Sequence, residues 1–328
     1  MVLGLATLQT RAATGAGTQA PTAPTATTPR PPVEIPFARL KADAVLPIAL
    51  GAGAVESADA IWVPNRAAGT IVRVDAKENK PGPAISVGKE PCASLVVAFD
   101  TVWAPLCGDG AIARVSVKDG KVTATPKILV PAGNGRIATG AGSVWVITER
   151  KGVLSRIDPD TNAPVAEIYV TGGATSVAFG EDALWITSED GEKGRVTRVN
   201  PKTNETVEVI EVGPKPGRVA VGEGAVWTLN RGNGSVSRID PGSNKVSATI
   251  TIGDAVAEGE IAAGLGSVWV SAPGVPIVRI DPANNRAVQK FTGEGGGAVL
   301  AAHGSLWVAA GPQATWRLDP LLIAALRP

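Results

Sequence analysis

The chain has 328 residues and a formal net charge of +1, from 31 basic and 30 acidic residues. Because these charges are spread along the whole chain, we expect no basic surface for nucleic acid or an anionic membrane. No apolar run of about 18 residues is present, so we expect no membrane span. Aromatic residues make up 4% of the chain and most are tryptophan, so the core must rely on Val, Ile, Leu and Ala around those tryptophans.

The first 32 residues are rich in Ala, Thr, Pro and Gly. Such a segment buries too little apolar surface to become ordered, so we predict a disordered leader at residues 1–32 and a single folded domain at 33–328. The apolar residues 2–8, followed by a basic residue and two alanines, fit the remnant of a secretory signal that lacks its basic start. A plain linker is the alternative.

After an extended strand predicted at residues 37–45, the chain consists of seven copies of one unit of about 40 residues. Each copy carries a tryptophan, at Trp62, Trp103, Trp145, Trp185, Trp227, Trp269 and Trp307. Each also carries a later arginine, at Arg73, Arg114, Arg156, Arg198, Arg238, Arg279 and Arg317. Residues that recur in every copy indicate architecture, so we interpret both series as structural, with the arginines pairing carboxylates or capping carbonyls.

Each copy contains four short apolar segments separated by turn residues. In the third copy these begin with residues 136–139 and the Trp145 strand, followed by Val153–Ile157 and residues 165–170. An Asp-Pro-Asp-Thr-Asn turn joins the last two, with Pro fixing φ and Asn suited to the left-handed position. Four strands at this period predict an all-β fold, a seven-bladed β-propeller of four-stranded blades.

The last copy lacks an obvious outer strand after Arg317. We therefore predict that the N-terminal strand completes the last blade and closes the ring, which removes an exposed sheet edge. In the alternative, residues 321–326 form that strand. Trp316, which lies off the repeat position, is expected to pack near the closure.

Residues that break the repeat are the candidates for function. Nine residues before each tryptophan, where the chain enters the innermost strand, stand Gly53, Ser94, Arg136, Ser176, Arg218, Glu260 and Ala298. In a propeller these positions surround one mouth of the central channel. Three charged residues there are unusual, because a narrow channel gives charges little solvent.

Polar residues that follow the tryptophan strands lie on the same predicted face. They include Arg66, Glu149, Glu189, Asn230 and Arg231. Together with Ser94, Arg136, Ser176, Arg218 and Glu260 they predict a polar, mixed-charge pocket for a polar or anionic ligand. A solvated rim with a few ion pairs is the alternative.

Two cysteines, Cys92 and Cys107, are equally distant from a predicted turn at Phe99 and Asp100. Antiparallel pairing would place them opposite each other, with Cα atoms about 4.5 to 5.5 Å apart, which is within reach of a disulfide. We predict that bond, and with it an oxidising compartment; two buried thiols are the alternative. Two cysteines are too few for an ordinary zinc site.

The single histidine, His303, occupies a turn between first and second strands, on the face opposite the predicted pocket. No Ser/His/Asp or Cys/His arrangement can be built from it. The glycine run at residues 293–297 is followed by no predicted helix, so we interpret it as a loop between blades instead of a phosphate loop.

With the copies aligned, the chain resembles the YVTN-type and virginiamycin B lyase-like seven-bladed propellers. The likeness rests on GSVWV at 142–146 and 266–270, SRIDPDTN at 155–162 and GEGAVWTLNRGNGSVSRIDPGSN at 222–244, and it covers about residues 33–320. It implies a secreted or periplasmic protein. The lyase branch implies ester cleavage by elimination, with histidine, glutamate and magnesium at the channel mouth. Here Arg136, Arg218 and Glu260 occupy those strand ends, so only Glu260 carries over.

These observations predict a periplasmic or secreted monomer that binds a polar small molecule or peptide at the channel mouth, without a certain cofactor. Envelope proteins are the candidate partners. The first alternative is a lyase or lactone hydrolase using Mg or Ca held by Glu260, Glu189 or Glu149. The second is a structural scaffold whose outer faces bind proteins.

Overall fold

The computed structural model describes residues 31–92, 94–124, 136–149, 152–170, 172–190 and 193–327. The leader predicted at residues 1–32 lies, apart from its last two residues, outside the described chain. Within the described residues, 29 strands form seven sheets that correspond to the seven repeats. The predicted seven-bladed β-propeller is therefore confirmed.

The strands follow the chain order of the repeats. Before the first repeat come β1 (Val33–Pro36), a 3-10 turn (Phe37–Arg39) and β2 (Ala44–Leu46). Blade 1 contains β3 (Val55–Glu56), β4 (Ala60–Asn65), β5 (Thr70–Asp75) and β6 (Lys80–Ser86). Blade 2 contains β7 (Val96–Ala98), β8 (Thr101–Leu106), β9 (Ala111–Ser116) and β10 (Val122–Ala124). Blade 3 contains β11 (Ile137–Gly140), β12 (Ser143–Glu149), β13 (Val153–Ile157) and β14 (Pro164–Tyr169).

The later blades repeat this order. Blade 4 contains β15 (Gly173–Gly180), β16 (Ala183–Asp190), β17 (Lys193–Asn200) and β18 (Glu205–Val212). Blade 5 contains β19 (Pro216–Gly222), β20 (Ala225–Asn230), β21 (Ser235–Asp240) and β22 (Lys245–Thr251). Blade 6 contains β23 (Glu260–Gly264), β24 (Ser267–Ala272), β25 (Val275–Asp281) and β26 (Arg286–Thr292). Blade 7 contains β27 (Val299–Ala302), β28 (Ser305–Gly311) and β29 (Ala314–Leu318), and a helix α1 (Pro320–Ala325) follows.

Tight turns set the register within each blade. Between β11 and β12 the turn residues Ala141 and Gly142 both have positive φ, 50° and 72°, the backbone that matches the twist of antiparallel hairpins. Between β13 and β14 the Asp158 side chain accepts from the backbone N–H groups of Asp160 and Thr161, and Asn162 closes the turn at φ 59°. The left-handed position predicted for the asparagine of this turn is confirmed.

The N-terminal segment closes the ring. Strand β2 pairs antiparallel with β29, so it supplies the outer strand of blade 7 as predicted. The predicted strand at residues 37–45 is shorter than expected because a 3-10 turn occupies Phe37–Arg39, where Phe37 stacks on Trp316 with ring centroids 4.7 Å apart. Strand β1, which was not predicted, adds a fifth, parallel strand to blade 6.

The C-terminal residues do not form the outer strand that the alternative required. They form α1, whose first turn is capped by Asp319, which accepts from the backbone N–H of Leu321 at 2.7 Å. Pro320 at the first helical position suits this start, since its missing N–H would have no partner there. None of the helices in the described chain is long and apolar enough to cross a membrane.

The repeated tryptophans form the core. All seven indoles are fully buried, at 0% exposure. In six blades the indole Nε1 donates to a backbone carbonyl five residues earlier, at 2.9 to 3.3 Å, and Trp62 instead donates to Ser57 Oγ. Each ring thus fills the space between blades while its one polar atom stays satisfied.

The repeated arginines join neighbouring blades. At five junctions the Arg Nη1 donates both to a backbone carbonyl and to an Asn Oδ1 in the turn of the next blade, at 2.6 to 3.4 Å. We call this contact the inter-blade clasp. The donors and their asparagines are Arg114 with Asn162, Arg156 with Asn204, Arg198 with Asn244, Arg238 with Asn285 and Arg317 with Asn79. The predicted structural role of these five arginines is confirmed, and Arg317 closes the ring from blade 7 to blade 1.

Two junctions lack the clasp. At the junction of blades 6 and 7, Arg279 donates to Gln289 at 3.2 Å, and Gln289 donates to the carbonyls of Ile323 and Leu326 at the C-terminal helix. At the junction of blades 1 and 2, Arg73 pairs with Asp59 of its own blade at 2.6 Å. The helix therefore replaces the missing turn at one junction only.

A disulfide joins Cys92 and Cys107, as predicted. The pairing around it is not the symmetric ladder expected, because Cys92 N donates to the carbonyl of Pro105 and Cys107 N to that of Glu90. Val96 pairs with Trp103, whereas Pro91 pairs with Leu106, so the register shifts between these two pairs. The irregular entry to β7 lies next to Ser94, one of the predicted pocket residues.

His303 lies in the β27–β28 turn at φ 49°, as predicted from its position. Its backbone N–H donates to Glu56 of blade 1, and its ring Nε2 lies 3.2 Å from the carbonyl of Ala60. This histidine therefore contributes to the contact between blades 7 and 1. The glycine run at residues 293–297 joins β26 to β27, as predicted for a loop between blades.

Closure by β2 can be tested with two adjacent residues that face opposite ways. Leu46 is 1% exposed and Val45 is 62% exposed. We expect Leu46→Ala to lower the free energy of unfolding by about 2 to 5 kcal/mol, since it leaves a cavity under the closing strand. The control Val45→Ala should change it by less than about 0.5 kcal/mol, as surface substitutions usually do. Urea unfolding measures both, and equal small losses would contradict closure by β2.

Candidate functional site

The innermost strands of neighbouring blades contact each other around the whole ring, including β27 with β3. The chain enters these strands at the positions singled out from the sequence. Four of them make or share contacts at the centre, and we call Ser94, Arg136, Arg218 and Glu260 the central cluster. Its members come from blades 2, 3, 5 and 6, so side chains from more than half of the ring converge there.

Arg218 is the centre of this cluster. It lies on β19 of blade 5, is 8% exposed, and forms a salt bridge with Glu260, the first residue of β23 in blade 6. Its Nη1 also donates to Ser94 Oγ at 3.2 Å. Because blades 2 and 5 are not neighbours, this hydrogen bond crosses the central axis of the ring.

Arg136, the second arginine of the cluster, lies immediately before β11 of blade 3. Its Nε donates to the carbonyl of Thr175 in blade 4 at 3.2 Å. Thr175 Oγ1 in turn donates to the carbonyl of Pro216 in blade 5 at 2.9 Å. A chain of polar contacts therefore links Arg136 to β19, the strand that carries Arg218.

The central cluster has an unusual electrostatic environment. Burial, with Arg218 and Arg231 near its charge, lowers the pKa of Arg136 to about 9, although Glu260 opposes the shift. The guanidinium therefore keeps its proton at neutral pH, but its charge is poorly solvated. Burial likewise raises the pKa of Glu260, against the opposing effect of Arg218 and Arg136. Poorly solvated charges of this kind interact strongly with any ion that reaches them.

A second ion pair lies beside the cluster. Arg231, after β20, binds Glu189 of blade 4 at 2.8 Å and donates to the carbonyl of Ala257 at 2.8 Å. A Cβ added to Gly217 would lie 2.9 Å from Arg231 Nε, so glycine at that position lets the arginine lie against β19. We call Glu189 and Arg231 the rim pair. Counting both groups, three arginines face two glutamates, so the charge balance among these described residues is positive.

Two other predicted pocket residues are buried inside blades. Asn230 is 0% exposed, and its Nδ2 donates to Ser235 and Ser237 Oγ at 2.9 Å within blade 5. Ser176 is 3% exposed, and its carbonyl accepts from Thr187 Oγ1 within blade 4. The structure places neither side chain in hydrogen-bond contact with the central cluster among the described residues.

Among the described residues, neither Glu149 nor Arg66 forms a hydrogen bond or an ion pair with the central cluster. Glu149 is exposed at the end of β12, and Arg66 pairs with Glu90 at 3.3 Å, with about half of each side chain exposed. Within the described chain, no three His, Cys, Asp or Glu residues lie close enough to hold a metal ion. Glu149, Glu189 and Glu260, the candidate ligands of the first alternative, therefore belong to no such group of three.

Thr175 and Thr187, which were not predicted, contribute to the contacts around the central cluster. Thr187 Oγ1 donates to the carbonyl of Gly217 at 2.8 Å and so joins blade 4 to the strand that carries Arg218. The signal was present, because Thr187 stands two residues after its tryptophan. Five of the six other copies have proline or an aliphatic residue there, namely Pro64, Pro105, Ile147, Leu229 and Ala309, and the sixth has Ser271.

No protein-family model and no curated protein matches the chain. Solved structures do. Virginiamycin B lyase from Staphylococcus aureus has a TM-score of 0.67 at 17% identity, covering 84% of this chain and 97% of that one. A catalytically inactive variant of that lyase, solved with quinupristin, matches at a TM-score of 0.67, 18% identity, and coverage of 83% and 95%.

Proteins with other names match the fold of this chain at similar TM-scores. The WD40 domain of Neurospora crassa Pan2 has a TM-score of 0.66 at 11% identity, covering 82% of this chain and 88% of that one. BamB from Moraxella catarrhalis has a TM-score of 0.61 at 13% identity, covering 83% and 85%. At such identities the likeness concerns the fold alone. The chain thus has the β-propeller fold of virginiamycin B lyase, which is the fold that the sequence resemblance implied.

Proposed function

We propose that this protein is an extracytoplasmic β-propeller that binds an anionic small molecule, or a peptide with an exposed carboxylate, at the channel mouth. The observation that carries the proposal is the convergence of Arg136 and Arg218 on the channel axis from two different blades. Ser94 and Glu260 orient Arg218, and the rim pair forms the edge of the same face.

The physical argument is the cost of burying like charges. The repulsion between the buried charges of Arg136 and Arg218 lowers the stability of the folded state, and the attraction of Glu260 offsets it only in part. A carboxylate or phosphate would accept charge-assisted hydrogen bonds from the guanidinium groups and relieve that repulsion. Such a site therefore favours an anion over a neutral or cationic ligand.

The disulfide supports a location outside the cytoplasm. Disulfides persist in oxidising compartments and are rare where glutathione and thioredoxin keep thiols reduced. A periplasmic or secreted protein would fit this bond and the resemblance noted from the repeats. We propose that location together with the binding role.

The two alternatives rest on the likeness of fold. A lyase has the support of its virginiamycin B lyase neighbours, but Glu260 is engaged by Arg218 and the only histidine contacts blade 1 instead of the mouth. General acid–base catalysis needs a group within reach of the substrate proton. A protein-binding scaffold has the support of BamB and the WD40 domain. Neither likeness of fold favours its alternative over anion binding, which has the support of a charged site built from several blades.

The binding role predicts a selective thermal shift. At constant ionic strength, citrate or inorganic phosphate is expected to raise the melting temperature, because a ligand of the folded state stabilises it. In Arg136→Gln we expect the affinity for citrate to fall about tenfold or more, since one charge-assisted contact of about 1.5 to 3 kcal/mol is lost. Arg136→Lys, which retains the charge, is expected to lose less.

Arg66→Gln is the matched control, because it removes an arginine whose partner, Glu90, is as exposed as Arg66 itself. It should bind citrate as the wild type does. Equal affinities in wild type, Arg136→Gln and Arg66→Gln would contradict an anion site at the central cluster. Turnover of a cyclic ester that disappears in Glu260→Ala would favour the lyase alternative.

The proposed location predicts the redox state of the two cysteines. In protein isolated from its native host, treatment with an alkylating reagent before reduction should leave the intact mass unchanged, because Cys92 and Cys107 are joined. After reduction, two alkyl groups should be added. Two alkylated cysteines without reduction would remove the support for an oxidising compartment.

A further inference from the structure

The junction between blades 1 and 2 leaves an arginine of the repeat without the partner that its equivalents have. Five arginines of the series donate to a carbonyl and an asparagine in the turn of the next blade. The corresponding turn of blade 2 contains Lys118, Asp119 and Gly120, with Gly120 at the position of the asparagine in the five clasped turns. Arg73 instead pairs with Asp59, a residue of its own blade.

A groove lies between Arg73 and that turn, whose residues Lys118, Asp119 and Gly120 form part of its wall. Its volume is about 410 Å³, and Arg73 forms part of its wall. Lys80 of blade 1 and Lys118 of blade 2 add basic groups, and Pro83 and Ile85 supply an apolar surface. The lining also contains three carboxylates, from Asp75, Glu78 and Asp119, so its formal charges balance. The groove therefore combines donors for oxygen atoms with an apolar wall.

The Arg73–Asp59 pair is suited to exchange. The Asp59 side chain is 65% exposed and that of Arg73 is 30% exposed. Exposed ion pairs contribute only about 0 to 1 kcal/mol to stability, because water competes for both partners. Asp59 can thus pair with the Arg73 guanidinium when the groove is empty, and a better acceptor that enters the groove can replace it.

We propose that this groove binds a peptide turn of a partner protein, one that presents a backbone carbonyl and a side-chain amide oxygen. These are the two acceptors that the arginine binds in each of the five inter-blade clasps. The planar guanidinium offers several N–H donors in a fixed geometry, so it can hold both oxygens at once. Pro83 and Ile85 would pack against the apolar side chains that flank such a turn.

The chain itself provides the probe. A cyclic peptide containing Ile-Asp-Pro-Asp-Thr-Asn-Ala, the sequence of residues 157–163, carries the turn that Arg114 clasps in blade 3. Cyclisation holds the turn and so reduces the entropy lost on binding. Isothermal titration calorimetry of the whole protein with this peptide is the measurement.

We expect saturable binding that weakens about tenfold or more in Arg73→Gln, the loss that one charge-assisted contact accounts for. Asp59→Asn should bind the peptide more tightly than the wild type, since it weakens the competing partner of Arg73. Arg66→Gln, another exposed arginine of blade 1, should bind it unchanged. A peptide with its Asn replaced by Ala should bind more weakly to the wild type.

Melting temperatures of the variants verify that each protein is folded before titration. The absence of binding at millimolar peptide, or equal affinity in wild type and Arg73→Gln, would overturn the proposal. The proposal would also be overturned if inorganic phosphate bound the groove as tightly as the peptide does and displaced it. The site would then recognise a free anion instead of a turn.

Discussion

The inter-blade clasp is the contact on which this ring depends. In a repeat protein each unit packs mainly on its neighbours, so the junctions contribute much of the stability. Here the arginine packs near its own tryptophan, with the guanidinium carbon of Arg198 5.1 Å from the Trp185 ring centre, and its Nη1 reaches the next blade. The same contact from Arg317 to Asn79 joins the last blade to the first, beside the strand β2 that completes blade 7.

The departures from that contact have different consequences. Between blades 6 and 7, Gln289 and the C-terminal helix supply replacement hydrogen bonds, so the junction is filled. Between blades 1 and 2 there is no such replacement within the described chain, and a groove remains beside Arg73. At the centre, charged residues replace the small residues of other blades, and Arg218 crosses the axis to Ser94. Both proposed sites are therefore places where the repeat changes.

The repeat made the fold predictable, because tryptophan and arginine at fixed spacing require the same four strands in every copy. The disulfide could be predicted because Cys92 and Cys107 are equally distant from one turn. The register shift near Cys92 could not, because nothing in the sequence of that hairpin indicated it. Helix α1 was missed despite its Asp319–Pro320 start, because its apolar residues also fit a strand. Asn230 was assigned to the rim from its position after a strand, yet its hydrogen bonds to Ser235 and Ser237 hold it inside the blade. Contacts across the axis depend on how blades face each other, which spacing along the chain does not encode.

The free energy of unfolding of single Arg→Gln variants tests most directly the claim that Arg73 has been released from the architecture that its equivalents maintain. For Arg114, Arg156, Arg198, Arg238 and Arg317 we expect a loss of about 1 to 3 kcal/mol each, because each substitution leaves acceptors in the next blade without their donor. For Arg73→Gln we expect a loss below about 0.5 kcal/mol, as for an exposed ion pair. A loss for Arg73→Gln equal to that of the five clasp arginines would contradict this account.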